Sequence, residues 1–295
     1  MTLARHDEAY GRMAVIRRVA ELRGLVAGWH RAGERVGVVP TMGALHAGHM
    51  ALVEAARRDC AQVIATIFVN PKQFNRADDL GSYPRDEAGD ATKLASAGVD
   101  LLFAPPAGEV YPAGYVTKVS VPGLSDCLCG LTRPGHMDGV ATVVTKLFLM
   151  TGADRAYFGE KDYQQLLIVK RLARDLDIPV DVVPVATVRD VDGLALSSRN
   201  SLLDAGQRAR APAIYRTLTA MAQRLAGAAV PVALVLAWGR EELLRAGVEK
   251  LDYLELRADD NLEELAVPDR PARLFTAGWM GTVRLIDNVA VPARR

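Results

Sequence analysis

Val38-Val39-Pro40-Thr41-Met42-Gly43-Ala44-Leu45-His46-Ala47-Gly48-His49 reads as a short buried strand, a turn and the first turn of an amphipathic helix. Val36, Val38 and Val39 supply the strand, and Pro40, with no N–H to offer, is expected to end its hydrogen-bond ladder. Gly43 and Gly48 allow a tight turn and a close approach of backbone to ligand. From His49 onward, Leu52, Val53 and Ala56 recur at helical spacing between Glu54, Arg57 and Arg58. A helix beginning near His46 puts both imidazoles on one face, where unpaired N–H groups and the positive end of the dipole favour an anion. Imidazoles there can donate to phosphate oxygens whose charge grows during phosphoryl or nucleotidyl transfer. A polar loop leading into a surface helix would use similar residues. Pro40-Thr41-Met42-Gly43 in front, and Gly48 between the histidines, favour the anion site.

Outward from this stretch, strand and helix patterns alternate. Met13 to Trp29 carries apolar residues at helical spacing and ends near Gly33. Val63 to Val69 is nearly all apolar and β-branched, as a parallel strand covered on both faces should be. Glu87 to Ala97 reads as a helix closed by Gly98, and Val99 to Phe103 as a strand stopped by Pro105-Pro106. The pattern predicts an α/β fold: a Rossmann-like parallel sheet with right-handed crossovers. Beyond Asp204 the character changes to two helical stretches, Gln207 to Ala226 and Pro231 to Ala246. Three short alternating strands follow, Leu251 to Arg257, Arg273 to Ala277 and Thr282 to Ile286, expected to form an antiparallel sheet with one covered face. This gives a nucleotide-binding domain over 1–187 and a smaller α+β domain over 188–295.

With 295 residues, 50% hydrophobic and 24% charged, the composition suits one large or two modest globular domains. A formal net charge of +1 points to neither nucleic acid nor a membrane surface as partner. No apolar run approaches the roughly 20 residues of a membrane helix. Arg5, His6, Asp7 and Glu8 do not resemble a signal peptide, so a cytoplasmic location is expected. Cys60, Cys127 and Cys129 lack the spacing of a disulfide framework or a structural zinc site.

In parallel α/β sheets ligands bind beyond the carboxyl ends of the strands, and the polar segments fall there. Val69 runs into Asn70-Pro71-Lys72-Gln73-Phe74-Asn75, followed by Tyr83-Pro84-Arg85-Asp86, which by itself reads equally as an ordinary turn. Leu131-Thr132-Arg133-Pro134-Gly135-His136-Met137 precedes an apolar helical run, Val140 to Met150. Lys146 within it either snorkels to the surface or points at an anion. Arg155 to Phe158 leads into Gly159-Glu160-Lys161-Asp162, where Lys161 sits near a helix start whose dipole opposes a cation unless an anion is bound. A salt bridge to Glu160 or Asp162 is the plainer alternative. Asp192-Gly193 marks a hairpin turn, and Leu196-Ser197-Ser198-Arg199-Asn200 after it offers hydroxyls and a guanidinium suited to a triphosphate, or a plain helix cap.

These segments resemble the pantoate–β-alanine ligase (pantothenate synthetase) family of the His-x-Gly-His nucleotidyltransferases. Pro40 to His49 resembles its nucleotide motif, and Phe68-Val69-Asn70-Pro71-Lys72-Gln73-Phe74 its Phe-Val-Asn-Pro-x-Gln-Phe. Arg133 to Leu147, Gly159 to Asp162, Ser197 to Asn200 and Thr282 to Asn288 follow in the family's order. Lys72 stands where many members carry an apolar residue, and Met137 where Phe is usual. The resemblance implies ATP contacts from Pro40 to His49, Lys146, Gly159, Glu160, Lys161, Asp162, Val188, Leu196, Ser197, Ser198 and Arg199. It implies catalytic roles for His46, His49, Lys161 and Arg199, and a substrate grip by Gln73 and Gln165 with Asn70 and Tyr83 beside them. The implied reaction is ATP-dependent condensation of (R)-pantoate with β-alanine through a pantoyl adenylate, releasing AMP and pyrophosphate. Mg2+ is implied on the ATP phosphates rather than in a protein cage, and a homodimer is expected. His49 is the proton donor by the same resemblance, although stabilising charge on pyrophosphate is the more economical role. The alternatives are another His-x-Gly-His nucleotidyltransferase acting on a small carboxylate or phosphate, and a nucleotide-binding regulator without catalysis.

Overall fold

The computed structural model describes residues 10–74, 80, 81, 83–227 and 230–293. Arg5 to Glu8, considered above as a non-signal N-terminus, and Asn75 lie outside the described residues. Strands β1 (Ala14–Ile16), β2 (Val36–Thr41), β3 (Gln62–Ile67), β4 (Leu101–Phe103), β5 (Arg155–Gly159) and β6 (Asp181–Val185) form one parallel sheet in the order β1-β4-β3-β2-β5-β6. Helices α1 (Val19–Arg31), α2 (Ala47–Asp59), α3 (Glu87–Ser96), α4 (His136–Thr151) and α5 (Tyr163–Asp175) are connected between them. The period of two along β2 splits its side chains between two cores. Val38 packs on the side of Leu22, Phe148 and Leu166, and Val39 on the side of Val53, Leu94 and Leu102. Both are fully buried, which is why the strand reads as an unbroken apolar run.

Two expectations change here. Residues 13–16 do not belong to the first helix: Ala14–Ile16 pairs in parallel with Leu101–Phe103 as an edge strand, and α1 starts only at Val19. Over so short a run, apolar positions 15, 16, 19 and 22 satisfy either period. Pro40 does not end its ladder either. It lies in register with Thr66, and Thr41 continues the pairing by donating its hydroxyl to the Thr66 carbonyl at 2.5 Å while Phe68 N–H donates to the Thr41 carbonyl at 3.1 Å.

The second part holds a short helix (Ala205–Arg210), α6 (Ala213–Gly227), α7 (Val232–Arg245) and an antiparallel sheet β7 (Lys250–Ala258), β8 (Ala272–Met280) and β9 (Val283–Val291). The helix expected over 207–226 is broken at Pro212, whose ring and missing N–H interrupt the ladder. The sheet is covered on both faces, not one. Leu254, Leu256 and Leu274 pack with α6 and α7, whereas Tyr253, Phe275 and Ala277 join the core of the parallel sheet. This contact brings β9 over the strand ends where the polar loops gather. Among the described residues no helix is long and apolar enough to cross a membrane.

Candidate active site

The crossovers from β2 and from β5 run to opposite sides, so a crevice opens between the carboxyl ends of these adjacent strands. A cavity of about 1110 Å³ occupies it. Pro40, Thr41, Met42, His46, Gly48 and His49 line it after β2, and Gly159, Lys161, Asp162 and Gln165 after β5. Asn70, Gln73 and Tyr83 enter from the loop after β3, and Val188, Leu196, Ser197, Ser198 and Arg199 from the second part. Gly43, Ala44, Leu45, Ala47, Lys146 and Glu160 are not part of its wall. Gly43 (φ +83°) and Ala44 (φ 52°) turn the backbone in the left-handed region. Leu45 is then held from both sides: its N–H donates to Asp90 Oδ1 at 2.9 Å and its carbonyl accepts from Lys93 Nζ at 3.0 Å.

The two histidines cap α2 reciprocally. Gly48 N–H donates to His46 Nδ1 at 3.1 Å, and His46 N–H donates to His49 Nδ1 at 3.3 Å. This is the arrangement of a capping box, with imidazoles in place of hydroxyl and carboxylate. Because each Nδ1 accepts from a backbone N–H, the neutral ring must carry its proton on Nε2. Burial lowers the pKa of His46 to about 4 and that of His49 to about 3, with the Lys161 ammonium acting in the same direction on both. At neutral pH the site therefore offers two uncharged N–H donors beside the cation of Lys161. A side chain at Gly48 would meet His46 Cε1 at 2.8 Å, so glycine there is what lets the ring fold back onto the cap.

Lys161 is largely buried, with Asp162 Oδ2 at 3.8 Å, a looser approach than a hydrogen-bonded pair. The backbone that carries it is gripped by β9: Asn288 Nδ2 donates to the carbonyls of both Glu160 and Lys161 at 2.9 Å. The next residue back, Asp287, accepts both ends of the Arg189 guanidinium at 2.7 and 2.9 Å. Arg189 also donates to the Gly193 carbonyl, fixing the hairpin in which Arg189 bridges Ala195 across the Asp192-Gly193 turn. That hairpin delivers Ser197-Ser198-Arg199 to the cavity. Ser197 does cap the following turn, its hydroxyl accepting from Arg199 N–H at 3.3 Å, so the cap and the cavity-facing position coexist. Tyr83 lines the cavity beside them, and burial raises its phenol pKa.

At the other end, Gln73 is buried. Its Oε1 accepts from Asn70 Nδ2 at 2.9 Å, and its Nε2 lies 3.2 Å from Met42 Sδ. His136 Nδ1 donates to the Gln73 carbonyl at 2.7 Å and its Nε2 faces the Arg133 guanidinium at 3.1 Å. Burial, then Arg133, lowers the His136 pKa to about 4, which keeps this ring neutral as well. Of the adjacent amides on α5, Gln164 is used up by structure: it donates to the Leu124 and Cys127 carbonyls and accepts from Cys129 N–H. Gln165 lines the cavity.

The sequence model of the family described as Pantoate-beta-alanine ligase matches residues 14–290. The chain belongs to this family. The pantothenate synthetase of Chelativorans sp. is 58% identical over 277 residues, spanning 94% of this chain and 97% of the relative. The solved pantothenate synthetase of Thermus thermophilus superposes with a TM-score of 0.88 at 49% identity, covering 94% and 99% of the two chains. The pantoate-beta-alanine ligase of Francisella tularensis, solved in complex with beta-gamma ATP and beta-alanine, gives a TM-score of 0.78 at 33% identity over 94% and 97%. The chain is accordingly an ATP-dependent ligase of pantothenate synthesis, joining pantoate to β-alanine. Membership of the family sets aside the other nucleotidyltransferases as readings.

Within the family frame, two lysines stand apart from the cavity wall. Lys146 lies with its Nζ 4.7 Å from the centre of the Tyr115 ring, and Lys72 with its Nζ 5.1 Å from the centres of both Tyr111 and Tyr115. Burial lowers the Lys146 pKa. Cys60, Cys127 and Cys129 are all buried, and Cys129 Sγ lies 3.1 Å from the Tyr253 hydroxyl. Asn288, Arg189 and Lys93 went unread as positioning groups in the sequence analysis, because each acts on backbone far away in the chain. The one usable signal was the resemblance of 282–288 to the family.

Proposed function

We propose that ligation proceeds in two steps in this one cavity, through a pantoyl adenylate. In the first, a pantoate carboxylate oxygen attacks the α-phosphorus of ATP, the new O–P bond forming as the bond to pyrophosphate breaks. In the second, the β-alanine amine attacks the acyl carbon, the C–O bond to AMP breaks and the amine loses a proton. A carboxylate is a competent nucleophile already, so the task left to the protein is to bring anions together and stabilise the departing charge. The observation that carries this reading is the reciprocal histidine cap, which commits both Nδ1 atoms to backbone and leaves the Nε2–H groups of His46 and His49 as donors for phosphate. Lys161 and Arg199 supply the cations, Ser197 and Ser198 further donors, and Val188, Leu196, Pro40, Thr41, Met42, Gly48 and Gly159 the walls of the nucleotide end. Gln73 and Gln165, with Tyr83, grip pantoate, and Asn70, implied beside them by the resemblance, holds Gln73 rather than the substrate. His49 then works by hydrogen bonding to the leaving group, since burial holds its ring neutral.

By the family resemblance Mg2+ would be carried by the ATP triphosphate rather than by a protein cage. Of the carboxylates lining the cavity, Asp252 and Asp287 accept from Arg284 and Arg189, so Asp162 is the side chain that would face such an ion. Bound there, it would neutralise phosphate charge as pyrophosphate separates. The division into 1–187 and 188–295, with the second part closing over the phosphates, is supported by the separate core formed with α6 and α7. A homodimer follows from the family resemblance, and sedimentation tests it. For the chemistry, enzyme in excess is mixed with ATP and pantoate, with and without β-alanine. Pyrophosphate is expected in a single turnover without β-alanine, and free AMP only after β-alanine is added. If no pyrophosphate forms until β-alanine is present, the adenylate route is wrong.

A further inference from the structure

Asn70 is 1% exposed, and both polar atoms of its side chain are engaged. Its Oδ1 accepts from the Tyr111 hydroxyl at 2.8 Å and from Lys72 N–H at 3.2 Å. Its Nδ2 donates to Gln73 Oε1 at 2.9 Å and to the Gly139 carbonyl at 3.0 Å. Turning the amide over would set Nδ2 against the Lys72 N–H and Oδ1 against two oxygens, so the network admits a single orientation. Gln73 inherits it. With Oε1 accepting from Asn70, Gln73 presents Nε2, whose hydrogen-bond neighbour among the described residues is a thioether, a weak acceptor.

We infer that Tyr111, which is not part of the cavity wall, is a positioning residue for pantoate recognition: through Asn70 it fixes Gln73 with its N–H donors toward the substrate. The inference rests on the assignment of Gln73 to pantoate above. Tyr111 is itself restrained. Its ring packs against Phe68 and Tyr115, with centroids 6.1 and 5.0 Å away, and Lys72 Nζ lies over it. The phenol is a stronger donor than water, and burial keeps it protonated by raising its pKa. Without it, Asn70 Oδ1 keeps only the Lys72 N–H, and the Asn70 amide loses one of the bonds that hold it in place. Gln73, which Asn70 holds, would then keep its Nε2 less well aimed at a carboxylate or hydroxyl oxygen of the substrate. The loss falls on pantoate and spares the nucleotide.

Tyr111→Phe removes one oxygen and keeps the ring. It is expected to raise the pantoate KM roughly threefold to tenfold, the scale of one buried hydrogen bond, with the ATP KM unchanged and kcat altered less than about twofold on the same scale. In a Gln73→Ala background, whose own pantoate kcat/KM falls, Tyr111→Phe is expected to add nothing. A pantoate KM unmoved by Tyr111→Phe, an equal rise in the ATP KM, or the same pantoate penalty in the Gln73→Ala background would each overturn the relay. A Gln73→Ala enzyme with an unchanged pantoate kcat/KM would instead overturn the assignment of Gln73. Should Tyr111→Phe not fold, Asn70→Asp replaces it: a second oxygen opposite Gln73 Oε1 should raise the pantoate KM at least as much, and an unchanged value overturns the relay.

Discussion

The two ends of the cavity are built in opposite ways. At the nucleotide end, His46, Gly48 and His49 hold one another within four consecutive residues, each ring bonded to the backbone of its neighbour. At the pantoate end, Gln73 is held by Asn70, Asn70 by Tyr111 and Gly139, and the Gln73 carbonyl by His136, so the partners span some 69 positions of chain. In the proposed function, local geometry positions the imidazole donors for phosphate, a ligand of fixed shape and high charge. Recognition of a small hydroxy acid would fall to neutral amides, whose direction must be imposed from outside because an amide carries no net charge to orient it.

Damage should therefore stay local at one end and spread at the other. His49→Ala removes a donor from the self-contained end, and the rate of adenylate formation is expected to fall by roughly 10²–10³, the size of losing one such donor, while thermal stability changes little. An unchanged pre-steady-state rate would remove His49 from the chemistry. A pair of glycine substitutions sharpens the contrast. At Gly139 an added Cβ would lie 2.3 Å from the Lys72 carbonyl oxygen and 2.8 Å from Gln73 Cα, both backbone, so Gly139→Ala must push the 70–73 turn off α4. A loss of about 2–3 kcal/mol in stability is expected despite the better helix former, together with a raised pantoate KM. At Gly48 the obstructing atoms belong to the His46 ring, which can swing. Gly48→Ala should therefore cost under about 1 kcal/mol while slowing turnover around tenfold. Denaturant midpoints and steady-state kinetics on the two variants separate the cases, and equal effects would erase the distinction.

A further effect concerns protons and shows only as the pH falls. His136 and His49 have folded-state pKa values of about 4 and about 3, below the 6.5 of an unperturbed imidazole, chiefly through burial. Between these limits the unfolded chain binds protons that the folded chain does not, so stability is complete above pH 6.5 and declines as the pH falls toward 4. Each such ring contributes about 1.4 kcal/mol per pH unit within that window. His136→Gln should flatten the dependence between pH 6 and 5 by about one proton, read from denaturant midpoints at several pH values. An unchanged slope would mean that His136 titrates normally in the folded chain.

Much of this molecule was legible because its informative segments are local. Apolar β-branched runs, the turn glycines and the polar loops after each strand predict a parallel sheet with a ligand at its carboxyl edge, and the two histidines fall at the N-cap and third position of α2, close to the helix start their spacing suggested. Where the reading failed, it failed on competition between periods or on distant partners. Residues 14–16 are too few to distinguish strand from helix until β4 supplies the pairing partner. Pro40 loses an N–H, yet the strand continues because the neighbouring Thr41 hydroxyl reaches Thr66. The antiparallel sheet looked half-covered because contact with another core leaves no periodic mark of its own.

The sequence by itself determined the α/β class and the succession of strand ends bearing polar loops, since both follow from spacing along a few residues; the lysine and arginine proposed for the nucleotide end came from the resemblance to the family. Only the tertiary structure decided that Gln164 spends its amide on the Leu124, Cys127 and Cys129 backbone, which way the Gln73 amide points, and that Asn288 and Arg189 hold the loops carrying Lys161 and Arg199. Those outcomes depend on hydrogen-bond partners brought together by folding, and separation in sequence carries no information about them.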